Sequence, residues 1–160
     1  MLDMVQSDCA LECEPGVIRL FGAADIRSRG MVSGWSGPEE GHTWNDGLEA
    51  VYAIIMRSPV QRLGLIVIGE PYVTRIRPVQ ELTLYGNGYR IAFWRMTGRT
   101  ETVLTAALEP EWWFERNGHA AMTLMFHMPN SVRPKDLNDG QDGREIGFCF
   151  RSICLRPLPA

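Results

Sequence analysis

The chain has 160 residues, of which 45% are hydrophobic and 22% are charged, so it is long enough for one domain with a sizeable core. Its formal net charge is −3 and Lys135 is its only lysine, which argues against a basic surface that would bind nucleic acid. The sequence has no apolar run of roughly 20 residues and no secretory signal pattern, so we expect no membrane span and a cytoplasmic location.

The first fifteen residues predict a tail or a short helix, because apolar residues recur at loosely helical spacing until Pro15-Gly16 ends the pattern. Residues 16–160 are then expected to form a single domain. Within it, residues 17–21 predict a short strand and residues 22–30 a polar connection.

The segment 34–47 contains two Trp, one Pro, four Gly and three carboxylates, and it shows neither helical nor strand periodicity. Such a composition predicts an ordered loop that its own aromatic rings hold against the domain. We therefore expect Trp35 and Trp44 to lie close together at one end of the molecule.

The rest of the chain predicts short strands that turn residues separate. Residues 48–56 would allow a helix, but we favour a strand there because the apolar run 63–68 needs a neighbour in a sheet. Asn87-Gly88, between two β-rich runs, predicts a tight hairpin. Further strands are predicted at residues 100–108, 112–114, 120–126 and 145–155, and a long loop at 128–143. This spacing predicts an all-β fold, a two-sheet β-sandwich that is jelly-roll-like.

The four cysteines are expected to be small core side chains or free thiols, with a disulfide or a metal site as alternatives. Cys9 and Cys13 are four residues apart. Cys149 and Cys154 are five apart, a spacing that places side chains on opposite faces of a regular strand. This disfavours a zinc site made of four thiolates.

Trp35, Glu39 and Trp44 are the candidate ligand-binding residues, because indole rings stack on the apolar faces of sugars and a carboxylate accepts hydrogen bonds from their hydroxyls. The alternative, which we favour, is structural. Glu39 would accept hydrogen bonds from backbone N–H groups of its Gly-rich loop, and the indoles would close the end of the sandwich. Asp142 and Arg144 are expected to pair with each other and to hold the last strand.

Two groups of carboxylates are candidates for glycoside hydrolysis and for calcium binding, and neither has the spacing that such a site requires. Glu39, Glu40 and Asp46 would have to face one another across a cleft to hydrolyse a glycoside, which carboxylates of one short loop rarely do. Residues 136–142 have the carboxylate density of a calcium loop, but they lack the EF-hand spacing and its closing Glu.

The three histidines are the remaining candidates for metal ligands. His42, His119 and His127, together with Glu40, lack the paired spacing that a metal site on this kind of scaffold would use. No nucleophile elbow, phosphate-binding glycine loop or dinucleotide fingerprint is present in the sequence. We therefore expect no catalytic residue, no bound metal and no cofactor.

Two stretches, one near each end of the chain, resemble a known family. Gly34-Trp35, Pro38-Glu39, Trp44 and Gly47 resemble a pattern that opens a β-sandwich module in bacterial proteins of surface-polysaccharide biosynthesis, where the module is attached to, or encoded near, glycosyltransferases. Residues 142–148, with Asp142 and Arg144, resemble that family's closing Asp-x-Arg-x-aliphatic-Gly strand. Together the two stretches span most of the chain.

The resemblance implies a β-sandwich in which Gly34, Pro38, Gly47, Asp142 and Arg144 form a structural motif, and it lends no catalytic residue. We accordingly expect a non-catalytic carbohydrate-binding or accessory module, whose partner is a glycan or a glycosyltransferase. The alternatives are a metal-dependent enzyme on a jelly-roll scaffold and a purely structural protein–protein interaction domain. An enzyme would show a deep pocket with convergent titratable groups, and an interaction domain an uncovered apolar strand.

Overall fold

The computed structural model describes residues 11–22 and 30–159. The strands within these ranges are β1 (Leu11–Glu12), β2 (Ile18–Leu20), β3 (Met31–Ser33), β4 (Thr43–Trp44), β5 (Glu49–Arg57), β6 (Leu63–Pro71), β7 (Gln80–Gly86), β8 (Tyr89–Met96), β9 (Thr102–Leu108), β10 (Phe114–Arg116), β11 (His119–His127) and β12 (Phe148–Pro157). Two short 3-10 helices span Pro110–Trp112 and Pro134–Leu137. No helix in the described ranges has the length and apolarity to span a membrane.

The strands form two sheets. Sheet A has the order β1-β5-β11-β7-β8, and in addition β3 pairs with β5 and β10 with β11. Sheet B has the order β2-β12-β6-β9, and in addition β4 pairs with β12. The pairs are antiparallel except for β1 and β5, which run parallel. This arrangement confirms the predicted all-β, jelly-roll-like sandwich of two sheets.

The core lies between the two sheets and takes alternate residues from their central strands. In β5, for example, Tyr52 and Ile54 are fully buried. Among the described residues, five aromatic side chains have no exposed surface: Phe21, Tyr52, Phe126, Phe148 and Phe150. Burial of each such ring contributes about 1.5–3 kcal/mol, so this aromatic cluster is a major part of the core.

Several predicted elements are confirmed. The expected strand at 48–56 is present as β5, Glu49–Arg57, which pairs with β11 along nine consecutive positions and is not helical. Asn87 and Gly88 connect β7 and β8 with φ angles of 46° and 86°, the left-handed conformation that a two-residue hairpin turn requires. The turn at Asn117 likewise connects β10 and β11, with φ of 52°.

Other predictions need correction. The strand expected at 112–114 is replaced by a 3-10 helix that Pro110 begins, and the strand follows at Phe114–Arg116. The loop expected at 128–143 contains the second 3-10 helix. Residues 11 and 12, expected in a tail or short helix, form strand β1, so the sandwich begins before residue 16. The rest of that prediction, residues 1–10, lies outside the described residues.

Cys149 and Cys154 share one face of sheet B, contrary to expectation. The pairing of β12 with β6 shifts register between Phe150 and Ser152, so one extra residue reverses the alternation between the two cysteines. Phe148, Phe150, Ile153 and Leu155 face the core, and both thiols lie on the opposite side. Cys13, Cys149 and Cys154 are free thiols, as expected, and Cys9 lies outside the described residues.

Candidate functional site

The predicted loop 34–47 folds back on itself as an irregular hairpin. Ser36 N donates to Trp44 O at 2.9 Å, Asp46 N donates to Gly34 O at 2.8 Å, and Trp35 is bridged to Asn45. At the tip, Glu39 N donates to His42 O at 2.9 Å. The returning arm includes β4, which pairs with β12 and so fixes the hairpin to sheet B.

Gly34 starts this hairpin at a position where only glycine fits. Its φ is +78°, and a Cβ atom added there would lie 1.8 Å from the carbonyl oxygen of Glu49. Gly47 closes the hairpin and donates its N–H to Glu145 O at 2.8 Å, while Pro38 is half-buried beside the tip. These contacts support a structural role for the three residues.

Trp35 packs against the core. Its ring centroid lies 4.9 Å from that of Phe150 and 5.4 Å from that of Phe21, and its Nε1 donates to Val51 O at 2.8 Å. The indole is therefore engaged on its apolar side and through its N–H. These contacts support the structural alternative for Trp35 over a place in a sugar platform.

Trp44 faces the other side of the hairpin. Its half-buried ring makes a T-shaped contact with the ring of Tyr72, with centroids 6.2 Å apart, and lies near that of His42 at 6.3 Å. Trp35 and Trp44 are thus neighbours through their backbones, but their rings point to opposite sides because adjacent positions of an extended chain alternate. The two residues therefore lie close together in one hairpin, as expected, with their rings on opposite sides of it.

Asn45 joins the two motif segments and was missed by the sequence analysis. The side chain is fully buried, and its Oδ1 accepts hydrogen bonds from the N–H groups of Gly147 and Phe148, each at 2.9 Å. Its Nδ2 donates to Gly47 O at 2.8 Å and to Ser131 Oγ at 3.0 Å. An Asn in a Gly-rich loop predicts only a turn, so the sequence carries no signal for this role.

Glu39, Arg144 and Asp142 form an ion-pair chain next to the hairpin tip. The guanidinium of Arg144 donates to both carboxylate oxygens of Asp142, with Nη2 at 2.7 Å from Oδ2 and Nε at 3.1 Å from Oδ1, and its Nη1 donates to Glu39 Oε1 at 2.8 Å. Nε2 of His42 lies 2.9 Å from Glu39 Oε2. The expected Asp142–Arg144 pair is therefore present, and Glu39 extends it.

The same contacts shift the pKa values of the three residues in this ion-pair chain. Hydrogen bonds from Arg144 hold the pKa of Glu39 and that of Asp142 below their ordinary values, and these carboxylates, Asp142 first, raise the pKa of Arg144. Glu39 was expected to accept backbone N–H groups, but its partners within the described chain are side chains. Asn45 has the expected role instead, and so does Asp46, whose Oδ1 accepts from Glu145 N at 2.9 Å.

Tyr72 is a buried residue that packs against the Trp44 ring. It is 2% exposed, its hydroxyl donates to Asp139 Oδ2, and the guanidinium carbon of Arg99 lies 5.4 Å from its ring centroid. Burial, and secondly the hydrogen bond to Asp139, raises the pKa of Tyr72 to about 12, so the hydroxyl keeps its proton.

We define the Trp44 surface as the Trp44 ring with the side chains of Glu39, His42 and Arg144.

The remaining predicted groupings are dispersed. His119 and His127 stand at opposite ends of β11, and within the described ranges no three His, Cys, Asp or Glu side chains come together as metal ligands.

A cavity of about 560 Å³ lies elsewhere, between the N-terminal segment and the β5–β6 connection, and includes none of the predicted site residues. Cys13 lines it, and burial raises the pKa of this thiol to about 11.

Comparison with known proteins gives matches of fold only. No protein-family model and no curated protein matches the sequence. The CBM36-1 domain of a multidomain xylanase from the hindgut metagenome of Trinervitermes trinervoides matches with a TM-score of 0.51 and 9% identity, over 90% of this chain and 98% of that one.

Two further structures match at lower scores. A carbohydrate-binding module CBM36 in complex with calcium and xylotriose has a TM-score of 0.43 and 11% identity, over 88% of this chain and 98% of that one. A family 35 carbohydrate-binding module from an environmental isolate has a TM-score of 0.43 and 12% identity, over 97% and 96%. The similarity to the CBM36-1 domain shows that this chain shares the β-sandwich fold of that domain.

Proposed function

We propose that this protein is a non-catalytic module that binds a glycan at the Trp44 surface. The observation that carries the proposal is the setting of Trp44, a half-buried indole on the outer face of sheet B, in T-shaped contact with Tyr72 and with charged hydrogen-bonding groups beside it. An indole stacks on the apolar face of a pyranose, and side chains such as Glu39 and His42 bind the hydroxyls at its rim. The fold shared with the CBM36-1 domain supports the same conclusion.

The charges of this surface favour a neutral sugar over a uronic acid. The guanidinium of Arg144 already donates to two carboxylates, those of Asp142 and Glu39. A sugar carboxylate would have to displace one of them. Glu40 and Asp139 add further exposed negative charge in the same loops and would repel an acidic sugar.

The wider role that we propose is that of an accessory module in bacterial surface-polysaccharide biosynthesis, acting in the cytoplasm beside a glycosyltransferase. Its support is the resemblance of the segments 34–47 and 142–148 to such modules. Affinity purification of the tagged protein from its own cells, with fractionation, tests this role. Recovery of a glycosyltransferase in the cytoplasmic fraction would support it, and a secreted protein would contradict it.

Binding to a panel of neutral and acidic polysaccharides, followed by calorimetry on the best ligand, tests the site. We expect Trp44→Ala to weaken binding at least about tenfold, which corresponds to about 1.4 kcal/mol. Phe93→Ala is the matched control, because Phe93 is a 46% exposed aromatic residue on sheet A. Loss of binding in Phe93→Ala, with normal binding in Trp44→Ala, would move the site to sheet A.

A structural interaction domain is the second candidate function. The observation that favours it is the outer side of sheet B, where Ile18, Leu20 and Val103 are 57%, 55% and 56% exposed. These residues belong to the two edge strands, β2 and β9. Apolar exposure of this kind often marks a contact with another protein.

A further inference from the structure

A row of side chains crosses the outer face of sheet B beside the Trp44 surface. Trp44 on β4 lies opposite Cys149 on β12, and Cys149 lies opposite Glu70 on β6. Glu101 directly precedes β9 and continues its register opposite Glu70. Neighbouring strands lie about 4.8 Å apart, so the backbone of Glu70 is about 10 Å from that of Trp44 across the sheet. This distance exceeds the width of a single sugar ring.

Four charged side chains surround the far end of this row, and we name them the Glu70 cluster: Glu70, Arg99, Glu101 and Arg151. Arg151 Nη1 donates to Glu101 Oε2 at 2.9 Å, and its Nη2 donates to Glu70 Oε2 at 3.3 Å. Arg99 Nε lies 3.6 Å from Glu70 Oε1. The two cations and the two anions balance, so the cluster favours a neutral ligand over a charged one.

A β-bulge turns Arg151 towards the outer face of sheet B. The register of β12 against β6 shifts between Phe150 and Ser152, and Arg151 is the additional residue. Bulges re-aim side chains and are frequent next to active sites. The bulge therefore supplies the cation that connects Glu70 to Glu101.

Tyr72 connects the Glu70 cluster to the Trp44 ring. The ring centroids of Tyr72 and Trp44 are 6.2 Å apart, and the guanidinium carbon of Arg99 lies 5.4 Å from the centroid of Tyr72. Aromatic and cationic groups at these distances are in contact. The Trp44 surface and the Glu70 cluster are therefore parts of one continuous face.

The Glu70 cluster retains donors and acceptors for the hydroxyls of a sugar. The side chain of Arg99 is 53% exposed, and its ion pair with Glu70 at 3.6 Å is longer than a hydrogen bond. Glu70 accepts one hydrogen bond within the described chain, at 3.3 Å, and a carboxylate has about four lone-pair sites. A sugar hydroxyl both donates and accepts, so it can bind the carboxylate of Glu70 and the guanidinium of Arg99.

We infer that the glycan site extends from Trp44 to the Glu70 cluster, and that its ligand is a neutral linear oligosaccharide that lies across the strands of sheet B. One sugar unit stacks on the Trp44 ring, and a further unit binds through its hydroxyls to Glu70 and Arg99. This extension rests on the proposed function and narrows its ligand class. The module binds an internal stretch of a polymer rather than a single sugar.

Calorimetry of the purified protein with oligosaccharides of increasing length tests this extension. The probes are size-fractionated fragments of one to six sugar units from the best-binding polysaccharide among xylan, mannan, galactan, α-glucan and β-glucan. For the wild type, we expect the affinity to rise at least about tenfold from the shortest fragment that binds, and then to level off. Glu70→Gln and Arg99→Gln should each lose about tenfold with long fragments and bind the shortest one like the wild type.

Glu109→Gln is the matched control. Glu109 pairs with Arg62 at 2.9 Å at the other end of β6 and β9, and its side chain is 29% exposed, against 26% for that of Glu70. The substitution removes an ion pair of similar exposure from the same two strands, so this variant should bind every fragment like the wild type. Circular dichroism and thermal melting verify that each variant is folded before its affinity is compared.

The possible results separate failure of the extension from failure of the proposed function. Binding that is lost in Trp44→Ala but does not depend on fragment length would overturn the extension and leave the Trp44 site in place. Equal affinities of Glu70→Gln and Glu109→Gln for long fragments would do the same. Binding that requires Glu70 and Arg99 but is normal in Trp44→Ala would reject a shared surface. A wild type that binds none of the five polysaccharides would overturn the proposed binding of a neutral glycan, and with it the extension.

Discussion

Trp35 and Trp44 lie nine positions apart in one hairpin, yet they have different surroundings. Trp35 packs on Phe21 and Phe150 in the core and donates its N–H to Val51, whereas Trp44 lies on the outer face of sheet B and contacts Tyr72 and His42. The hairpin thus has an inner side that stabilises the fold and an outer side that is available to a ligand. Substitutions on the two sides should separate stability from binding.

The largest expected effect is that of Trp35→Ala. The change removes an indole that contacts several core rings, so we expect a loss of about 3–5 kcal/mol in the free energy of unfolding. Urea denaturation measures this loss. Trp35→Phe serves as the control, because it retains a ring and should recover much of the stability. A loss below about 1 kcal/mol for Trp35→Ala would show that the inner side of the hairpin is not part of the core.

Asn45→Ala should have the next largest effect. The substitution leaves the N–H groups of Gly147 and Phe148 buried without their acceptor, at about 1–3 kcal/mol for each group. We therefore expect a loss of about 2–4 kcal/mol by urea denaturation. Asp46→Ala is the control, because this exposed residue accepts one hydrogen bond and should lose about 1 kcal/mol or less. Equal losses in the two variants would contradict the role given to Asn45.

The sequence is sufficient to predict the fold because its signals are local. β-branched residues indicate β5 and β6, and Asn87-Gly88 marks the hairpin between β7 and β8. The ends of elements were less predictable where proline intervened, as in the 3-10 helix that begins at Pro110.

The site depends on contacts that the sequence cannot show. The segment 34–47 has no strand period, so the sequence does not show which side of the hairpin each Trp faces. The pairing of the two arms, Trp35 with Asn45, places the rings of Trp35 and Trp44 on opposite sides. Tyr72 and Asp139 are 67 residues apart, and their contact depends on how two loops meet. The Asp142–Arg144 pair was predictable because two residues of spacing already bring the charges together.

A smaller effect on stability is expected for Trp44→Ala. Its ring packs on the outer face of sheet B rather than against the core, so we expect a loss of only about 1 kcal/mol. Trp44 lies directly opposite Cys149 on the outer face of sheet B, and burial raises the pKa of that thiol to about 12. The substitution should therefore speed the labelling of Cys149 by a thiol reagent in the native protein. With Cys149→Ser as the control, unchanged labelling would show that Trp44 does not cover the thiol.

The smallest effect concerns the charges of the outer side and depends on pH. Arg144 lowers the pKa of Glu39 and of Asp142 in the folded state, below ordinary values of 4.5 and 3.8. A carboxylate with a lowered pKa stabilises the fold above its unfolded pKa, and this contribution is lost as the pH falls through the folded pKa. Glu39 is 42% exposed and Arg144 31%, so screening by solvent limits the contribution to less than about 1 kcal/mol.

Arg144→Gln should therefore be less stable than the wild type at pH 7, and the difference should shrink as the pH falls from about 4.5 towards 3. Urea denaturation at a series of pH values measures this convergence. Arg116→Gln is the control, because Arg116 is an exposed residue of β10, away from the Trp44 surface, and its difference from the wild type should not follow these two carboxylates. A constant difference between Arg144→Gln and the wild type from pH 7 to 3 would mean that Arg144 acts through packing, since only its charge couples the hairpin tip to the protonation of Glu39 and Asp142.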